Sequence, residues 1–193
     1  MVNERADAQR LATISDAQVH ALRDALARHG YDGQMLGECE SWLPGQFDAV
    51  RMPWVWHELR RREDPAAALA RLFAYDDAVA RARIETLLGA DVVAALLGVD
   101  ALYERDGGVT SRLRIVPFDT LWIASDDAAR AIDPVMGPGP TTLELAAAFD
   151  TDGVASLLDV GCGAGSLALL AAARGVTSVV GVDIDPRALD YSR

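Results

Sequence analysis

The chain has 193 residues, a formal net charge of −11, and 51% hydrophobic against 24% charged residues. That balance gives a globular chain with a sizeable core, and the acidic excess argues against coating nucleic acid non-specifically. No apolar run reaches the ~18 residues of a membrane span, and the charged N-terminus lacks a signal-peptide core.

All 18 basic residues are arginine. The two cysteines, Cys39 and Cys162, give neither metal spacing nor a disulfide framework. A cytoplasmic, reducing setting with no metal is the expectation.

Residues 1–13 read as a frayed lead-in. Ser15 and Gln18 form a capping box, with Ile14 stapling to Val19. The helix should run from Asp16 to Arg28, stop at Gly30, and bury Val19, Leu22, Ala25 and Leu26. Trp42, Trp54 and Trp56 follow, better placed as fillers of a small N-terminal core than as a partner surface. Arg60, Arg61 and Arg62 form the only basic run, flanked by Glu58, Glu63 and Asp64, which suits a solvated helix face.

Asp64 and Pro65 open the next helix as N-cap and first residue, with an end near Phe73. Asp76 or Asp77 should cap a helix covering Val79, Ile84, Leu87 and Leu88 and ending at Gly89. Asp91 should cap a third, Val92 to Leu97. Leu102 to Val109 reads as strand, tight turn, strand, with Thr110 to Val116 completing the hairpin and Thr120 to Ala124 adding a strand. Three short helices and a hairpin resemble a winged helix. Its third helix is entirely apolar, so it packs inside rather than lying in a groove, although Arg105, Arg112 and Arg114 could reach a phosphate.

Met136-Gly-Pro-Gly-Pro140 is a turn-prone connector, and Thr141 to Glu144 reads as a second capping box, opening a helix to about Phe149. Ala155 to Val160 is an apolar run suited to a strand buried on both faces. Gly161, Gly163 and Gly165 then turn the chain and leave room for a ligand. An alanine-rich helix runs from Ser166 to Arg174 and stops at Gly175; a second buried strand, Ser178 to Val182, ends at Asp183. In open α/β sheets, ligands bind beyond the carboxyl ends of the strands, and an acid there can hold ribose hydroxyls.

Two ligands fit that outline, a dinucleotide and S-adenosylmethionine. The dinucleotide fingerprint wants glycine where Ser166 stands, and the glycine falls one place early at Gly165. Asp159, at the strand end, suits a ligand with a cationic amine better than a pyrophosphate. The stretch Asp159-Val-Gly-Cys-Gly-Ala-Gly165 resembles motif I of class I S-adenosylmethionine-dependent methyltransferases, and Gly181-Val-Asp-Ile-Asp-Pro186 resembles their second motif. The second motif looks most like that of protein methyltransferases acting on ribosomal components and of the glutamine-methylating, small-domain group.

The resemblance implies a cofactor site. Asp159 would hold the amino-acid end of S-adenosylmethionine, and Gly161, Cys162, Gly163 and Gly165 would line it. Asp183 would take the ribose, Ile184 would pack on adenine, and Asp185 either shares the site or caps the helix from Pro186. The connector and its helix would cover the methionine end.

The expected fold is α/β: a winged-helix-like domain over residues 1–124, then the first βαβ part of a Rossmann-like domain over 125–193. Neither Asn-Pro-Pro-Tyr nor Asp-Pro-Pro-Tyr occurs, and the only asparagine is Asn3. No catalytic residue is therefore assigned, and the chain reads as truncated after the second motif. The expected function is methyl transfer to a nitrogen of a protein or nucleic acid, the acceptor (protein, RNA or small molecule) being open and a homodimer possible. The rivals are a winged-helix regulatory or cofactor-binding module and an NAD-dependent oxidoreductase.

Overall fold

The structure is a computed structural model and describes residues 6–41, 52–127 and 131–192. Trp42 lies outside these residues. The chain divides into two compact units, Arg10–Arg112 and Met1–Gln9 with Leu113–Arg193. Where the sequence suggests a boundary near residue 124, the units part between Arg112 and Leu113. A short helix α1 (Ala8–Leu11) stands within the stretch expected to be frayed.

In the first unit, α2 (Asp16–Arg28) opens on the expected box: Gln18 N–H donates to the Ser15 hydroxyl, and the Gln18 side chain accepts from Ser15 N–H. Its buried stripe is narrower than expected, since Ala25 and Leu26 are buried but Val19 is 49% exposed. Next come α3 (Gly33–Ser41), α4 (Met52–Arg61) and α5 (Pro65–Phe73). Asp64 caps α5 by accepting from Ala67 N–H, and Pro65 takes the first helical position. Every α5 residue except Pro65 and Arg71 is buried.

Helix α6 (Arg81–Leu88) starts without a side-chain cap, so neither Asp76 nor Asp77 does what the sequence suggests. Asp77 is buried instead against Arg60 and Arg71, and Asp76 takes Arg105 and the Thr110 hydroxyl. Burial alone would raise the Asp77 carboxyl, but the two guanidinium groups hold it below the usual carboxylate range. Helix α7 (Ala90–Gly98) starts two residues earlier than expected, at a Gly89 cap. Asp91 lies inside its first turn, where the helix dipole still favours a carboxylate.

Strands β1 (Leu102–Arg105) and β2 (Gly108–Ser111) pair antiparallel across Asp106-Gly107, both with positive φ as a tight hairpin turn requires. Val79 bridges Val109, and a Cβ on Gly108 would sit 2.5 Å from the Val79 carbonyl oxygen. Only glycine lets those backbones meet. Trp56 is half-buried and donates to the Tyr75 carbonyl at 2.7 Å, a core role; Trp54 is exposed and stacks on His57. Arg112 lies over the Tyr103 ring and 3.4 Å from Asp100, so Arg105 and Arg112 already have acidic partners.

In the second unit, β3 (Leu113–Phe118) and β4 (Leu121–Asp126) form a hairpin of their own rather than extending the first. Helix α8 (Pro140–Ala148) begins at Pro140 with Gly139 as its cap and no side-chain cap bond, so the box expected from Thr141 does not form. Proline's fixed φ starts the helix two residues early and puts Thr141 inside it. Strand β5 (Ser156–Val160), α9 (Ser166–Ala173), the parallel strand β6 (Ser178–Val182) and α10 (Pro186–Tyr191) complete the chain. Phe118, Ile123, Val135, Ala164, Leu170 and Ala188 cluster as the core, with Leu121, Leu167 and Tyr191 packed against it.

β5 and β6 are not buried on both faces. Leu158 and Val160 pair with Val180 and Val182 on one face and are all exposed, Val160 at 75%. Helix α9 covers the other face, and among the described residues nothing covers this one. The fold is mixed α/β, and no described helix is long and apolar enough to cross a membrane.

Candidate functional site

The glycine loop sits at the carboxyl ends of β5 and β6. Gly161 N–H and Cys162 N–H both donate to the Val182 carbonyl, at 2.8 and 3.1 Å, which lays the loop across β6. Gly165 N–H returns to the Cys162 carbonyl at 2.8 Å and closes the turn into α9. Cys162 is buried, its sulfur 3.1 Å from where a Cβ on Gly181 would stand. Gly163 has φ +53 and lies under the connector: its Cβ would meet the Met136 carbonyl oxygen at 2.9 Å. That oxygen accepts from Ala164 N–H at 3.1 Å. Glycine is required at 163 by both conformation and space.

The second acidic position joins the loop directly. Asp183 Oδ2 accepts from Gly163 N–H at 2.8 Å, and Oδ1 accepts from Asp185 N–H at 3.0 Å. Those two amides hold its carboxyl below the usual range. Asp159 behaves oppositely. Burial pushes its carboxyl up and the nearby Asp183 charge adds to that, although Ala168 N–H donates to its Oδ2 at 3.2 Å. Asp185 accepts from Arg187 N–H and caps α10, the structural one of its two expected roles. Ile184 is fully exposed beside Asp183.

Asp159, Gly161, Cys162, Gly163, Gly165, Asp183 and Ile184 thus fall at one end of the sheet, as their spacing suggests. Three neighbours were not legible: the Met136 carbonyl, Ser192 at the end of α10, and Asp126. Backbone groups carry no sequence signal. Asp126 meets its partners across 61 and 65 residues. Among the described residues no cluster of side chains could hold a metal ion.

The site suits S-adenosylmethionine. Asp183 keeps lone pairs beyond its two amide bonds, Ile184 is an exposed apolar side chain, and among the described residues no cation pairs with Asp159. It suits a dinucleotide less well, because the loop end offers an acid where a pyrophosphate would need donors.

Residues 109–193 match the family model described as ribosomal protein L11 methyltransferase (PrmA). Relatives that carry that same name include three from different organisms. The one from Thiobacillus denitrificans is 40% identical over 95 residues, covering 44% of this chain and 31% of the relative. The one from Laribacter hongkongensis is 39% identical over 95 residues with the same coverage. The one from Vibrio campbellii is 45% identical over 60 residues, 30% of this chain and 20% of the relative. The chain thus spans about a third or less of the relatives it matches. Over residues 109–193 the chain is similar to the ribosomal protein L11 methyltransferases.

Proposed function

We propose that residues 125–193 supply the methyl-donor site of an S-adenosylmethionine-dependent methyltransferase whose acceptor is a nitrogen of a protein. The observation that carries this is the bond from Gly163 N–H to Asp183, which brings both motifs into one site. The relatives' names support a protein acceptor over RNA or a small molecule.

S-adenosylmethionine, when bound, supplies a sulfonium methyl open to attack by a nucleophile. This chain's residues would bind and orient it. Asp159 would pair with the amino group, Gly161, Cys162, Gly163 and Gly165 would line the chain, Asp183 would hold the ribose, and Ile184 would cover the base. Holding the donor still lowers the entropic part of the barrier. None of these residues is assigned to choosing or activating the acceptor.

We assign the N-terminal part, residues 1–124 by the sequence boundary, to a winged-helix-like domain that places the substrate or a second copy. Helices α5 to α7, the Val79–Val109 bridge and the β1–β2 hairpin support that order of elements. The solvent side of α7 carries Ala90, Asp91, Ala94 and Gly98 and no basic side chain, which counts against a DNA-reading regulator. The free, buried Cys39 and Cys162 accord with a cytoplasmic setting.

Calorimetric titration with S-adenosylhomocysteine and with NAD tests the cofactor. Binding of the first alone is expected. Binding of NAD alone would overturn the reading in favour of an oxidoreductase.

A further inference from the structure

Asp126 ends β4, and its side chain is fully buried. Its Oδ2 accepts from Val135 N–H at 2.9 Å and from Arg187 Nη2 at 2.8 Å. Its Oδ1 accepts from the Tyr191 hydroxyl at 3.0 Å. Asp126 N–H in turn donates to the Val135 carbonyl at 3.1 Å. One carboxylate therefore fastens two elements to β4: the connector before α8, through Val135, and helix α10, through Arg187 and Tyr191.

Those two elements are the walls of the glycine loop. On one side, the connector presents the Met136 carbonyl to Ala164 N–H and roofs Gly163. On the other, Ser192 stands so close that a Cβ on Gly165 would meet its Cβ at 2.8 Å. Among the described residues, the partners of Asp126 are Val135, Arg187 and Tyr191 rather than the loop. A buried carboxylate with one guanidinium and two neutral donors is well satisfied while all three remain. Without it, Arg187 and Tyr191 lose the acceptor that fixes α10, and Val135 loses one of its two bonds to β4. Burial, with the Asp126 charge adding, pushes the Tyr191 hydroxyl up, so it remains a neutral donor.

We infer that Asp126 is a positioning residue for the donor site, holding the connector and α10 against Gly161–Gly165 through Val135, Arg187 and Tyr191. The inference rests on the cofactor reading above for its meaning in binding, and on the loop alone for its geometry.

Two measurements on the full chain test it: amide hydrogen exchange at Gly163 and Ala164 relative to β5 amides, and S-adenosylhomocysteine affinity. Asp126→Asn should speed exchange at Ala164 at least about tenfold over β5 and weaken affinity by a similar factor. Leu69→Ala, in the core of the first unit, should lower the melting temperature and leave both ratios alone. Should Asp126→Asn fail to fold, Tyr191→Phe removes one bond and carries the same comparison with a smaller effect.

Exchange that rises equally in the loop and β5, or stays unchanged at Ala164, would overturn the inference. So would a loosened loop with unchanged affinity. Loop-specific exchange in a chain whose parent binds no S-adenosylhomocysteine would support the positioning role and remove the cofactor reading instead.

Discussion

Strands β2 and β6 are both short and rich in small and β-branched residues, yet they sit in opposite surroundings. Every residue of β2 is buried, with α5 packed on it and Val79 bridged to its edge. β6 is covered only on the α9 side, and Val180 and Val182 face outward. Burial is therefore set by what the rest of the fold lays over a strand, not by the strand's own composition. The β2 region is a closed core, where substitutions should act on stability. The β5–β6 region is an open sheet with the proposed donor site at its end, where they should act on binding.

The largest effect belongs to the closed core. Leu69 is fully buried in α5, and Leu69→Ala should cost about 2–5 kcal/mol in urea unfolding. A loss no larger than that of a surface change would erase the contrast. At the open sheet, Asp183→Ala removes the proposed ribose acceptor and the Gly163 clip together. It should weaken S-adenosylhomocysteine by about 1.5–3 kcal/mol, roughly tenfold or more, in titration calorimetry. Unchanged affinity would remove Asp183 from the site. Gly163→Ala, against a positive φ and the Met136 carbonyl, should cost about 1–2 kcal/mol of stability by thermal melting.

Smaller, but more diagnostic, is a pH effect. Asp183, held low, gives stability that is present above its unfolded value and lost as pH falls through the lowered one. Asp159, held high, works the other way: its contribution is present at low pH and lost as pH rises through the raised value. Just above the ordinary carboxylate value of about 3.9, Asp183 is ionised while Asp159 is still partly protonated. A cationic amine at Asp159 should then release a fraction of a proton on binding. Calorimetry in buffers of different ionisation enthalpy reads that fraction, and Asp159→Asn should abolish it. The smallest effect is expected on the bare face: Val160→Ser should change stability by no more than about 0.5 kcal/mol.

Local chemistry was readable because its partners lie within a few residues. The Ser15–Gln18 box, the Asp64 cap and the Asp106-Gly107 turn each depend on a stretch short enough to be seen as a word. The glycine loop with Asp183 was readable because its βαβ spacing is itself a signature. What misled was competition. Asp77 has the residue type of a helix cap, but two arginines, one of them 17 positions away, draw it inward. Thr141 and Glu144 have the spacing of a box, but Pro140 starts the helix first. The exposed faces of Leu158 and Val180 are not legible in the sequence, because an apolar run records what a strand could bury, not what lies on it.

The two amides that grip Asp183 also bear on timing. Its rotamer is fixed by bonds to Gly163 and Asp185 made within the chain itself, so a ligand arriving there does not have to freeze the side chain. Such prepayment leaves the encounter rate nearly alone and shows mainly as slower escape. In the proposed donor site the carboxylate would thereby act as a latch on residence time, with how long a donor lingers written into the folding of the loop.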